Sequence, residues 1–187
     1  MNFDYRLFTE INRLAGHSKF LDPVMVGMAK YGVIIYAVVL LILWLRPGTT
    51  STDRKLVLRA AMAALLALSI NQVIGFVYFR PRPFAHHTVN MLVPKSPDPS
   101  FPSDHATGSS ALTVSLAGSK PGLGVVLLIV TLLLMVSRVY VGTHYPVDVI
   151  GGALTGILGS AVTNLLWPYL DKFGDKLINL YERFTPI

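Results

Sequence analysis

The chain contains no cysteine, which excludes disulfides, thiolate catalysis and cysteine-ligated metals and leaves its redox compartment unmarked. Charge is scarce as well: 14% of the 187 residues are Asp, Glu, Lys or Arg, against about 25% in soluble domains. Acidic residues are the scarcer, 10 against 16 basic ones, for a net charge of +6. The basic residues stand scattered between apolar runs and make no continuous face, which argues against nucleic acid as a partner. What fills the chain instead is 52% hydrophobic residues, the composition of a protein that lives in a lipid bilayer. The length suits one helical bundle and no second domain. Residues 1–187 are therefore expected to form a single membrane-embedded domain of the all-α class.

Along the chain, Phe3, Leu7, Phe8, Ile11 and Leu14 share one helical face, with Asp4, Arg6, Glu10 and Arg13 elsewhere. The pattern predicts an interfacial helix over 1–20. Asp4 and Glu10 break the basic start of a secretory signal, so this segment is expected to stay on the mature protein. Residues 24–45 are apolar apart from Lys30, and 60–79 carry no formal charge; each is long enough to cross a core of about 30 Å. Residues 106–119 are shorter and rich in Ala, Ser, Thr and Gly, which suits packing inside a bundle. An aliphatic run over 122–136, continuing to about 141, and a glycine-bearing segment over 149–170, opened by Pro146, complete about five transmembrane helices within a core of 24–168. After Pro168, an amphipathic tail over 169–187 alternates Leu170, Phe173, Leu177, Leu180 and Phe184 with Lys172, Asp175, Lys176 and Arg183, and is expected to lie on the membrane surface.

Orientation follows from the basic residues. Five spans put Arg46, Arg54, Lys55, Arg59, Lys120, Lys172, Lys176 and Arg183 on one side, which the positive-inside rule makes cytoplasmic. Three polar islands then converge on the opposite face: Arg82-Pro83, Pro102-Ser103-Asp104-His105, and Ser137-Arg138 followed by His144 and Asp148. Arg82 and Arg138 carry planar forks suited to anionic oxygens. Ser103 and the amides of Asp104 and His105 open a helix, where unsatisfied N–H groups and the helix dipole attract an anion. His144 and Asp148 are four residues apart, so the carboxylate is expected to fix the tautomer of an imidazole whose other nitrogen attacks. His105 is then the proton donor to the leaving oxygen and later the base that activates water.

Duller readings stand beside these. Arg80, Arg82 or Arg138 taken singly is also a headgroup anchor; Ser103 with Asp104 is also an ordinary N-cap; His17, His86 and His87 read as surface histidines. His86-His87 with Asp98 makes a weak metal-ligand set, and no metal is expected.

Taken together, Pro102-Ser103-Asp104-His105 and Ser137-Arg138-x5-His144-x3-Asp148, preceded by Arg82-Pro83, resemble the three signature motifs of the type-2 phosphatidic acid phosphatase superfamily of membrane lipid phosphatases. Tyr78-Phe79-Arg80-Pro81-Arg82-Pro83-Phe84, Asp104 where most members carry glycine, and Gly142-Thr143-His144-Tyr145-Pro146-Val147-Asp148 are most similar to the bacterial bacitracin-resistance branch, the undecaprenyl pyrophosphate phosphatases. The close resemblance covers about residues 71–152. It implies a metal-free helical enzyme of the bacterial plasma membrane, acting on a polyprenyl pyrophosphate at the extracytoplasmic face through a phosphohistidine. By it, His144 is the nucleophile, Asp148 its orienting partner, His105 the general acid, and Arg82, Ser103 and Arg138 the phosphate ligands. The superfamily's first motif usually opens with a lysine seven positions before the arginine. Gly75 stands there, and Arg80 is the expected replacement. A phosphatidylglycerophosphate or phosphatidic acid phosphatase is the second enzymatic reading; a small lipid-binding or transport protein is the non-enzymatic one, and leaves His144, Asp148 and His105 unexplained.

Overall fold

A computed structural model describes residues 3–185, and the regular elements of these residues are helices alone. They run α1 (Phe3–Asn12), α2 (Leu21–Leu45), α3 (Ser51–Val77), α4 (Pro83–His86), α5 (Asp104–Ala117), α6 (Pro121–Tyr140) and α7 (Pro146–Phe184). Four of them, α2, α3, α6 and α7, are long and apolar enough to cross a membrane, and large side chains such as Phe76, Leu65, Ile129 and Leu154 point outward along them. The chain is a membrane protein. The expected third span is the 14-residue α5; at about 21 Å it is too short to cross the hydrocarbon core alone. It sits at the centre of the bundle, packed on α3, α6 and α7.

Composition explains why α5 can sit there. Its buried residues are Ala106, Thr107, Ser109, Ser110, Ala111, Thr113, Ser115 and Leu116, small enough for neighbouring backbones to approach closely. The facing glycines of α7 complete the fit: a Cβ on Gly152 would lie 2.5 Å from the Ser103 carbonyl oxygen, and one on Gly159 2.6 Å from Ala67 Cβ. The hydroxyls that come inside with these small residues find partners. Thr113 Oγ1 lies 2.8 Å from Thr131 Oγ1, which meets the Tyr36 hydroxyl at 2.5 Å, and Ser115 pairs with Ser160 at 2.9 Å. Each pairing removes the cost of an unsatisfied buried hydroxyl.

At the far end of the bundle from the polar islands, Thr50 and Asp53 form a reciprocal cap on α3, and Lys120 joins Asp53 at 2.7 Å. The expected surface tail after Pro168 takes another form. Helix α7 runs unbroken through Pro168 for 39 residues, about 58 Å, and its last turns dock on the end of the α2–α3 hairpin. Ile178 is buried, Lys55 reaches Asp171 and Asp175 at 2.9 and 2.8 Å, Arg54 reaches Glu182 at 2.6 Å, and Trp44 packs edge-on to Tyr181. These contacts offset the hydrogen bond that Pro168 cannot donate.

The N-terminal helix differs from its expected placement too. Its inward stripe is Asp4, Phe8 and Asn12, one face at i, i+4, i+8, while Phe3 and Leu7 are exposed. Phe8 packs in a cluster with Ala106, Val139, Tyr145 and Val149. Asn12 donates to the carbonyls of Tyr140 at 2.8 Å and Asn90 at 3.0 Å, and accepts from the Asn90 N–H at 3.0 Å. A helix with polar residues buried at both ends of its stripe is tucked onto α6 and α7.

Candidate active site

The ends of α3, α5 and α6, the turn between α6 and α7 and the segment between α4 and α5 border a cavity of about 880 Å³, whose lining includes Arg82, Asp104, His105, Arg138 and His144. Asn71, Gly75, Phe76, Phe79 and Phe101 form other parts of its wall. Each functional side chain arrives from a helix end: Arg82 as N-cap of α4, His105 in the first turn of α5, Arg138 in the last turn of α6. Gly142 makes the turn that delivers His144 to α7. Its φ of +88° and the Val89 methyl 2.5 Å from where a Cβ would sit leave room for glycine alone.

His144 is 2% exposed. Its Nδ1 lies 2.8 Å from the Ser100 carbonyl oxygen, which only accepts, so Nδ1 carries the proton and Nε2 presents a lone pair. Arg82 Nη1 donates toward that lone pair from 3.3 Å. Burial is the largest influence on this imidazole; with the charges of Arg138 and Arg82, and against the opposing pull of Asp148, it brings the pKa down to about 4. Near neutrality the ring is uncharged and its Nε2 is available as a nucleophile.

Asp148 is fully buried, and it sits differently from the expected tautomer-fixing partner. Its Oδ2 is 3.8 Å from His144 Nδ1, beyond hydrogen-bond reach, because that oxygen is engaged by Ser100 Oγ at 2.5 Å and the Tyr145 N–H at 2.8 Å. Its Oδ1 accepts from Arg80 Nη1 at 2.5 Å. The carboxylate therefore acts on His144 by charge and by holding Ser100, whose own carbonyl takes the imidazole proton. The same contacts relocate Arg80, expected among the phosphate ligands. Its Nη2 meets Asp4 Oδ2 at 2.6 Å, its guanidinium lies 4.3 Å over the Tyr145 ring, and it is absent from the cavity lining. Two buried carboxylates draw it to the protein side, so it does not fill the space above Gly75.

The remaining predicted residues fall as follows. Arg82 is braced through Nε to the Asp98 carbonyl at 3.0 Å and through Nη1 to the Thr143 carbonyl at 3.3 Å. Arg138 donates to the Ala29 carbonyl of α2 at 2.9 Å, and its Nε has no protein partner. Ser103 is the N-cap of α5 by position, but its side chain makes no cap bond and its Oγ is unpartnered; its N–H holds the Asp148 carbonyl at 3.0 Å. The Asp104 carboxylate accepts from Asn71 Nδ2 at 2.9 Å, so toward an anion only its backbone N–H is suited. His87 stacks on Tyr5 at 3.9 Å. Asp4, Ser100 and Asn71 were not among the sequence candidates. Asn71, a buried amide in an apolar span, carried a signal, as did the spacing of Asp4, Phe8 and Asn12; nothing marked Ser100.

Comparison with known proteins bears on this arrangement. Residues 56–172 match the PAP2 superfamily. The chain is 40% identical over 179 residues to undecaprenyl-diphosphatase BcrC of Bacillus subtilis (strain 168), covering 96% of this chain and 92% of the relative. It is 28% identical to putative undecaprenyl-diphosphatase YbjG of Escherichia coli (strain K12), covering 97% and 88%. Among solved structures, the crystal structure of Aquifex aeolicus LpxE superposes with a TM-score of 0.73 at 24% identity, covering 87% of this chain and 95% of that one.

Proposed function

Because the chain belongs to the PAP2 superfamily, we propose that it is a membrane diphosphatase that converts undecaprenyl diphosphate to undecaprenyl phosphate and inorganic phosphate. The observation that carries this reading is the pairing of a neutral, buried imidazole with two arginines on one cavity wall: His144 Nε2 with Arg82 3.3 Å away, and Arg138 on the same lining. Kinship to a protein named for that substrate at 40% identity supports the choice of lipid.

In the first step His144 Nε2 attacks the terminal phosphorus while Arg82 and Arg138 hold its oxygens. The bond from that phosphorus to the bridging oxygen breaks, and its electron pair leaves with the lipid phosphate, a stable anion that departs without needing a proton from His105. His144 now carries the phosphoryl group on Nε2, with its Nδ1–H still donating to the Ser100 carbonyl. In the second step His105 takes a proton from water, the oxygen attacks the phosphorus, and the N–P bond electrons return to His144, releasing phosphate. A diphosphate's leaving group is already a stable anion, so it demands less of His105 than an alkoxide does. The positive-inside distribution of the basic residues supports an extracytoplasmic face for this cavity, where such an enzyme would recycle a cell-wall lipid carrier and confer bacitracin resistance.

The test is phosphate release by the detergent-purified protein from undecaprenyl diphosphate, phosphatidylglycerophosphate and phosphatidic acid at equal surface concentration. The diphosphate is expected to be the preferred substrate by kcat/KM, with His144→Ala inactive on all three. Preference for either glycerophospholipid would overturn the substrate, and activity in His144→Ala the mechanism.

A further inference from the structure

Deepening that reading of the site and resting on it, we infer that Asp4 of the N-terminal helix is a positioning residue for the nucleophile, acting through Arg80 and Asp148. The bonds form one continuous chain. Asp4 Oδ2 takes Arg80 Nη2 at 2.6 Å, Arg80 Nη1 gives to Asp148 Oδ1 at 2.5 Å, Asp148 Oδ2 takes Ser100 Oγ at 2.5 Å, and the Ser100 carbonyl takes His144 Nδ1–H at 2.8 Å. Arg80 also grips Ser100 by main chain, its carbonyl accepting the Ser100 N–H at 2.7 Å. The other oxygen of Asp4 accepts the Val147 N–H at 2.9 Å, at the start of the helix that holds Asp148. Asp4 thus sets both the fork that aims Asp148 and the helix end on which Asp148 sits.

A simple anchoring role for Asp4 accounts for less. Helix α1 is already fastened by Phe8 in its apolar cluster and by Asn12 on Asn90 and Tyr140. A buried ion triplet is a poor device for stability alone, since desolvating three charges consumes most of what their attraction returns. A guanidinium clamped from both sides, by contrast, keeps one orientation. That fixes where the Asp148 charge lies relative to an imidazole 3.8 Å away.

The test uses the full chain in detergent or proteoliposomes with undecaprenyl diphosphate as substrate. Asp4→Asn is expected to lower kcat by about 10- to 100-fold, the scale of loss seen when a partner behind a metal-bound histidine is removed, with KM within about twofold because Asp4 does not line the cavity. Arg80→Lys keeps a cation between the carboxylates and so protects folding, but loses the fork; the same split of kcat from KM is expected. Arg80→Gln leaves two carboxylates buried without their cation, and adding Asp4→Asn to it should cause no further loss of kcat. Wild-type kcat in Asp4→Asn, or losses of Asp4→Asn and Arg80→Gln that multiply, would overturn the inference. His144→Ala run alongside separates the two levels: if it is inactive while Asp4→Asn is normal, only this inference falls; if it is active, the reading of the site falls.

Discussion

A single side chain, His144, links burial to chemistry. Its pKa of about 4, against about 6.5 for an ordinary histidine, predicts that the acid limb of kcat/KM assigned to this group lies near pH 4. Arg82→Gln removes one of the cations that oppose its protonation, so that limb should move upward, together with a fall in kcat/KM of roughly 10- to 100-fold for a lost charged hydrogen bond. Both are read from one pH series on wild type and variant. The same shift has a sign for stability. Between pH 6.5 and 4 the unfolded chain takes up a proton here that the folded chain refuses, so His144 contributes a loss of stability as pH falls through that window. A thermal melt in detergent at pH 7 and pH 5 should show it, and His144→Ala should flatten the difference.

Elements carry a different kind of dependence, set by how closely backbones approach. Gly159 faces Ala63 and Ala67 of α3 across a gap that has no space for a Cβ. Gly159→Val should lower stability by about 1–3 kcal/mol through overpacking, visible as a lower melting temperature, with active-site losses following the loss of fold. At the other end of α7, Ile178→Ala should cost about 2–5 kcal/mol, as truncation of a buried side chain does; no change would mean that the last turns of α7 are not docked. Much of this was readable in the sequence. Long apolar runs gave α2, α3, α6 and the start of α7, and the small residues of α5 marked it as interior. Pro168 misled, because a proline ends a helix only when nothing downstream holds it, and Lys55, Arg54 and Trp44 do so from more than a hundred residues away in the chain. Arg82, His105, Arg138 and His144 were legible because their spacing ties them to helix ends. Asp4 and Ser100 were not, since each acts through a partner that only the fold supplies, and the pull of Asp4 and Asp148 on Arg80 could not be seen from Arg80's neighbours.

For the molecule as a whole, the lack of cysteine permits a direct test of orientation. Thr88→Cys, exposed beside the cavity-bearing end, should react with a membrane-impermeant maleimide in intact cells, and Ser51→Cys, at the opposite end of α3, only after permeabilisation. Reversed labelling would put the cavity on the cytoplasmic side. The overall charge plan agrees with the expected outcome: Arg54, Lys55, Arg59, Lys120 and Lys176 gather at one end, and the cavity arginines Arg82 and Arg138 at the other.

The acceptor of the His144 Nδ1 proton is a main-chain carbonyl, that of Ser100. A carbonyl is common to all twenty residues, so the imidazole's protonation pattern is encoded by the path of the chain and not by any one codon. Point mutation of Ser100 or Asp148 can shift, tilt or discharge the surroundings of the imidazole, yet the tautomer should outlast either change. In evolutionary terms, the most delicate condition of the reaction is stored where random substitution reaches it least.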